Sequence, residues 1–315
     1  MNSLYRKYRP QKFAEVIGQN HITSTLANQI KAGKVSHAYL FCGTRGTGKT
    51  SAAKIFAREI NGGAGELDIF EIDAASNNSV ADVREIIEKV KYPPVNGKYK
   101  IYIIDEIHMF SGSAFNAFLK TLEEPPKHVI FILCTTEPQK LLPTVQSRCL
   151  RFDFRLVSQA NLEKHIKDVL KKEKVQISDG AIKLLAEAGA GSVRDALSFT
   201  ETVMHYCSGR EITETDVSTV IGTVPKEILQ NLLENIIKSD TAKIIKTIDT
   251  IFARGINTNM LVKNFISIIK SEFLKNPSTY AKPFQIFSEL ELIIKNSTDP
   301  RSHFENTCLL ACIRD

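Results

Sequence analysis

Eight residues, Gly43-Thr44-Arg45-Gly46-Thr47-Gly48-Lys49-Thr50, constrain this chain more than any other feature. They lie between an apolar strand candidate, Ala38–Cys42, and a helical pattern opening at Ser51. A G-x-x-x-x-G-K-T string in that setting forms a loop whose backbone amides curl around phosphate groups. The following helix offers its unsatisfied N–H groups and positive dipole end to the same anion. Lys49 then places a point charge between the β- and γ-phosphates, and the Thr50 hydroxyl is a ligand for Mg²⁺. A glycine-rich turn beside a surface lysine is the alternative, and a strand and a helix in the required places argue against it. The string reads as a site for ATP and magnesium.

The rest of the first half supplies a sheet for that loop. Strand candidates rich in Ile, Val, Phe and Tyr fall at His37–Gly43, Asp68–Ala74, Lys100–Glu106, Val129–Thr136 and Leu150–Phe154. Helical patterns such as Ser51–Ile60 and Val80–Val90 alternate with them, which implies a parallel five-stranded sheet with helices on both faces. From Leu156 onward the strand signals stop. Helices are expected at Asn161–Lys172, Asp179–Ala188 and Val193–Tyr206, and beyond Gly222 at Lys226–Lys238, Thr241–Ala253, Asn259–Leu274 and Phe284–Lys295. Asp240 and Asn257 stand at N-cap positions, and Gly255 stands where a helix ends. Three domains are therefore expected: α/β over 1–155, a small helical domain over 156–222 and a second helical domain over 223–315.

Two further features bear on the nucleotide. Ile101-Tyr102-Ile103-Ile104-Asp105-Glu106 is an apolar strand ending in two acids, some fifty-five residues beyond the phosphate loop. In such ATPases the first acid, Asp105, holds the magnesium shell, and a glutamate directly after it can polarise the attacking water. Val129–Cys134 runs into Thr135-Thr136, a strand tip in the right order to sense a water or the γ-phosphate; plain capping of the strand explains those threonines equally well. Arg148 and Arg194 taken alone read as solvated surface charges.

Composition adds bounds. A net charge of +6 permits a nucleic-acid partner without requiring one. No run approaches the length of a membrane span, and the N-terminal residues lack a secretory pattern, so a cytoplasmic protein with no membrane partner is expected. The six cysteines form no C-x-x-C pair, and Cys42 and Cys134 read as buried thiols.

Together these motifs resemble a bacterial DNA polymerase III clamp-loader ATPase subunit of the gamma/tau type, within the AAA+ superfamily. The resemblance runs through Tyr5–Pro10, Val16–Gln19, the phosphate loop, Ile72–Ser76 and Ile104–Met109. It continues through Leu119–Pro126, Thr135-Thr136, Ser147-Arg148-Cys149 and Gly191–Asp195. It covers residues 4 to about 222 densely and the last helical part more loosely. It implies an AAA+ sheet, then a helical lid and a helical oligomerisation collar. It also implies an ATPase motor in a hetero-oligomer, a pentameric ring being expected, that opens a sliding clamp and loads it on primer-template DNA during replication.

By that resemblance Tyr8, Arg9, Pro10, Val16 and Ile17 lie near the adenine, and Gly43 through Ser51 (Thr44, Arg45, Gly46, Thr47, Gly48, Lys49 and Thr50 between them) cradle the phosphates. Asp105 and Thr50 serve the metal. Glu106 serves the water, and Thr136 (or Thr135) is the polar sensor. Arg194 closes on the chain's own γ-phosphate, and Arg148 is an arginine finger for a neighbour's ATP. Ser76, Asn77 and Asn78, with Ser111, precede two helices; they read either as N-caps or as helix ends that take DNA phosphates on backbone amides.

One departure stands out. The family's four-cysteine zinc module is missing: Glu59-Ile60-Asn61 passes directly into Gly62-Gly63-Ala64-Gly65-Glu66, a join near 61–66 with no cysteine, and no structural zinc is expected. The polymerase- and helicase-binding extension of the longer tau form is not expected in this sequence, which reaches Asp315.

Overall fold

A computed structural model describes residues 3–63, 65–222, 224–253 and 255–313. Chain contacts divide it into two units, Met1–Thr202 and Val203–Asp315. Ala64, inside the glycine-rich join, lies outside the described residues.

The first unit is built on five parallel strands: β1 Ala38–Cys42, β2 Ile69–Asp73, β3 Lys100–Asp105, β4 Val129–Thr135 and β5 Leu150–Asp153, in the order β2-β3-β4-β1-β5. Its helices in chain order are α1 Leu4–Lys7, α2 Asn20–Ala32, α3 Lys49–Ile60, α4 Val80–Val90, α5 Gly112–Glu123, α6 Pro143–Gln146, α7 Gln159–Lys172 and α8 Asp179–Gly189. α9, Val193–Cys207, runs across the division of the units. Every strand boundary falls within one residue of the sequence expectation.

Side-chain alternation explains why the central strands read as unbroken apolar runs. Leu40, Tyr102, Ile104, Phe131 and Leu133 face one cluster with Val83 and Val90 of α4 and Phe115, Phe118 and Leu122 of α5. Their neighbours Tyr39, Phe41, Ile101, Ile103, Ile130 and Ile132 face the opposite cluster, with Leu26 of α2 and Ala53 and Phe56 of α3. A strand covered on both faces has no polar side to show. The strand order has a topological consequence: the chain leaves β1 toward β2 on one side and returns past it to β5 on the other. Ligands in open parallel sheets bind beyond the carboxyl ends of the strands at such a reversal. The phosphate loop leaves β1 at that point.

The second unit contains α10 Glu214–Ile221, α11 Lys226–Ile237, α12 Thr241–Phe252, α13 Thr258–Lys275, α14 Pro277–Ser288, α15 Leu290–Lys295 and α16 Pro300–Leu310. Leu232, Ile248, Phe265, Phe287 and Phe304 centre its core. Asp240 and Asn257 cap α12 and α13 as expected, accepting from the N–H groups of Lys243 and Met260. The helix expected over 284–295 is instead two, α14 starting at Pro277 and α15 following a break at Glu289. Pro283 sits inside α14 and is buried with Phe287, so packing outweighs the N–H that proline lacks.

Candidate functional site: a phosphate-loop cleft

Three glycines of the loop hold left-handed backbone, Gly43 at φ 141°, Gly46 at φ 77° and Gly48 at φ 102°. Two of them also leave no room for a side chain. A Cβ on Gly43 would sit 2.4 Å from the Phe154 carbonyl oxygen, and one on Gly46 would sit 2.0 Å from Ser192 Oγ. The loop is therefore pressed between the end of β5 and the start of α9.

Inside it Lys49 Nζ donates to the carbonyls of Gly43 (2.8 Å) and Thr44 (3.0 Å), so the loop itself orients the ammonium. Lys49 is 6% exposed, and burial holds its pKa below the ordinary lysine value. Thr50 Oγ1 donates to Asp105 Oδ2 at 2.7 Å, which joins the loop to the tip of β3. Gln19, fully buried, donates to the Thr47 and Arg155 carbonyls and accepts from the Arg155 N–H, tying the loop to the chain entering α7.

A cavity of about 350 Å³ opens beside this loop. It is lined by Tyr8, Arg9, Pro10, Val16 and Ile17 together with Gly46 to Ser51, Asp105 and Arg194. An adjoining opening is lined by Arg45, Lys49, Glu71, Asp105, Glu106 and Arg194. The start of α9 is held over the loop by a backbone hydrogen bond from Val193 N to the Gly46 carbonyl, 3.0 Å. Arg194 lies with its guanidinium 4.8 Å from the centre of the Tyr5 ring.

Glu106, directly after β3, stands in left-handed backbone at φ 50°. There it accepts from Thr136 Oγ1 (2.9 Å) and Thr136 N (3.2 Å). Thr135 is turned inward, fully buried, with its hydroxyl 3.0 Å from His108 Nδ1. His108 Nδ1 is also 3.4 Å from Glu106, and its Nε2 is 3.4 Å from Glu137. Of the two candidate threonines, only Thr136 is hydrogen-bonded to Glu106.

Arg148 lies elsewhere. Its guanidinium pairs with Glu123 Oε1 at 2.6 Å and donates to the Thr144 carbonyl at 2.7 Å. Ser79 caps α4 and Ser111 caps α5, and a backbone bond from Ser111 N to the Asn78 carbonyl brings the two helix starts together. Ser76 and Asn77 are tied to Asp73.

Gln19, Tyr5, His108, Glu123 and His165, which also lines the cavity, were not singled out from sequence. Tyr5, Gln19, His108 and Glu123 fall inside the motif strings named above, but a string does not say which member points inward.

The donors present suit magnesium: a hydroxyl and a carboxylate already in contact, both hard oxygen ligands. Among the described residues no group of three or more His, Cys, Asp or Glu could hold an ion alone, so phosphate and water oxygens would complete its shell.

Family models for "DNA polymerase III, delta subunit" match residues 18–68 and 65–158. The "DNA polymerase III clamp loader subunit, ATPase lid domain" matches 161–209, and "DNA polymerase III subunits gamma and tau domain III" matches 212–279. DNA polymerase III subunit gamma of Buchnera aphidicola is 36% identical over 272 residues, which span 80% of this chain and 75% of that one. The chain belongs to the DNA polymerase III gamma/tau family. Subunit tau of Bacillus subtilis is 40% identical over 291 residues, 86% of this chain but 52% of its own length. For subunit tau of Escherichia coli the figures are 39% over 285 residues, 84% and 44%. The chain thus spans about half the length of these tau relatives. Among solved structures the Thermotoga maritima RuvB Holliday junction branch migration motor superposes with a TM-score of 0.57 at 21% identity, over 79% of this chain and 86% of that one. At that identity the likeness is one of fold, the AAA+ fold expected from sequence.

Proposed function

We propose that this chain is an ATP-binding and ATP-hydrolysing motor subunit of a clamp loader, which with its partner subunits opens a sliding clamp and loads it on primed DNA. One observation carries the reading: Tyr8, Pro10, Val16 and Ile17, then Lys49, the Thr50–Asp105 pair and Arg194, line one cleft at the reversal point of the sheet. Membership of the gamma/tau family supports the assignment of that cleft to a clamp loader.

Each residue has a task that its position suits. Lys49 neutralises the β- and γ-phosphates, and the loop amides take their remaining oxygens. Magnesium, held through Thr50 and Asp105, would offset charge on the same oxygens. Glu106 orients the attacking water and accepts its proton, while Thr136 fixes the carboxylate that does so. Arg194 swings from Tyr5 to the γ-phosphate, so the lid responds to whether that phosphate is present. The expected division into 1–155, 156–222 and 223–315 belongs to the same proposal, as nucleotide core, lid and collar.

Calorimetry and steady-state hydrolysis test the reading. Lys49→Ala should lose tight ATP binding, whereas Glu106→Gln should bind ATP and turn over at least about 10²-fold more slowly. Rate stimulation by clamp and primed DNA, absent with a four-way junction, is expected of a clamp loader. Normal ATP affinity in Lys49→Ala would refute the site.

A further inference from the structure

The string Leu119-Lys120-Thr121-Leu122-Glu123-Glu124-Pro125-Pro126 contributes nothing to the cleft, yet it determines where Glu123 stands. Pro125 and Pro126 stop the helix, because the residue before a proline is driven out of helical backbone. α5 accordingly ends at Glu123, and Leu122 is buried in the core and anchors the last turn. A carboxylate in that turn meets the negative end of the helix dipole, where a cation would be favoured. A residue placed against its own helix points to a task outside that helix.

The contact made is with Arg148. Glu123 Oε1 pairs with one terminal nitrogen of the guanidinium at 2.6 Å, and the Thr144 carbonyl accepts from the other at 2.7 Å. Two anchors fix the plane of the fork as well as its position. The arginine follows α6, whose Val145 is fully buried, so its backbone is fixed too. We infer that Glu123 is a positioning residue that holds the Arg148 guanidinium in the orientation it needs at a neighbouring subunit's ATP. This rests on the reading of Arg148 as a finger acting in trans. Because Glu123 closes the helix that Ser111 opens, the guanidinium is referenced to the same rigid element as the proposed DNA face.

The test uses assembled clamp loaders containing this chain, with DNA-stimulated kcat and the KM for ATP measured separately. Glu123→Gln should lower kcat about tenfold, since a misplaced group costs less than an absent one. KM and the ATP affinity of the isolated chain should stay unchanged. Glu123→Asp, which keeps the charge, should recover part of the rate. In an Arg148→Ala background Glu123→Gln should have no further effect, the signature of one residue acting through the other. An equal loss in that background, or a kcat in the Glu123→Gln assembly that is unchanged or raised, overturns the inference and leaves the finger standing. Full kcat in the Arg148→Ala assembly sinks both.

Discussion

At the scale of single residues, the site stores its chemistry in arrangements that are locally unfavourable. Glu106 occupies left-handed backbone, which costs a residue with a Cβ about 1–2 kcal/mol. Such strain persists where surrounding contacts over-determine it, and here Thr136 does so through two hydrogen bonds. Lys49 is the second case. Burial lowers its pKa in the free chain, and a bound polyphosphate would restore it toward the ordinary value. The complex then holds more protons than the free species in the window between the two values. The sign follows: ATP binding takes up protons in the alkaline range below an ordinary lysine's titration, and affinity falls as pH rises through it. Calorimetry in alkaline buffers of different ionisation enthalpy should detect that uptake. It should vanish in Lys49→Arg, whose guanidinium stays charged; equal uptake in that variant would assign the proton to another group.

At the scale of elements, α4 and α5 begin side by side, with Ser79 and Ser111 as caps. Capping and DNA binding make different demands on those positions, and one substitution separates them. Aspartate caps a helix as well as serine does, so Ser111→Asp should leave stability within about 0.5 kcal/mol. A negative side chain facing a phosphate should nevertheless weaken duplex binding by the assembly, and should flatten the log–log salt slope by about one unit. Unchanged DNA affinity at low salt would leave Ser111 a cap and nothing more.

How much of these elements the sequence disclosed depends on whether their cause was local. The loop glycines were legible because left-handed backbone and close approach leave few other residues possible. The central strands β1, β3 and β4 were legible because burial on both faces leaves unbroken apolar runs. The choice between Thr135 and Thr136 was not, since it turns on which side chain leaves the end of β4 toward Glu106. Nor was the start of α14, because Pro283 ordinarily disfavours a helix interior and only its packing with Phe287 lets the helix run through it. Glu123 and Gln19 act through partners 25 and 136 residues away, a relation no spacing encodes.

At the scale of the whole molecule, the described residues bring the phosphate loop, Arg194 and Glu106 to one cleft, and Arg148 is not among the residues that line it. The guanidinium is tied to Glu123 and Thr144 on its own chain. If that ion pair is all Arg148 provides, its loss should cost at most about 1 kcal/mol of stability, as for other exposed pairs, and should leave hydrolysis alone. If the arginine is instead delivered to a neighbouring subunit, it neutralises charge on the transferring phosphoryl group, a contribution of about 10³–10⁵ in rate. Mixed assemblies discriminate between the two. Arg148→Ala chains should bind ATP normally as isolated subunits yet hydrolyse little when all finger-bearing positions carry the change. Lys49→Ala chains should bind none, but keep an intact finger. Combining them places some intact fingers against intact ATP sites, and activity should return in proportion to the number of such junctions. A mixture no more active than the sum of its parts would show that each chain completes its own site. Weakened ATP binding by isolated Arg148→Ala would place that arginine in cis.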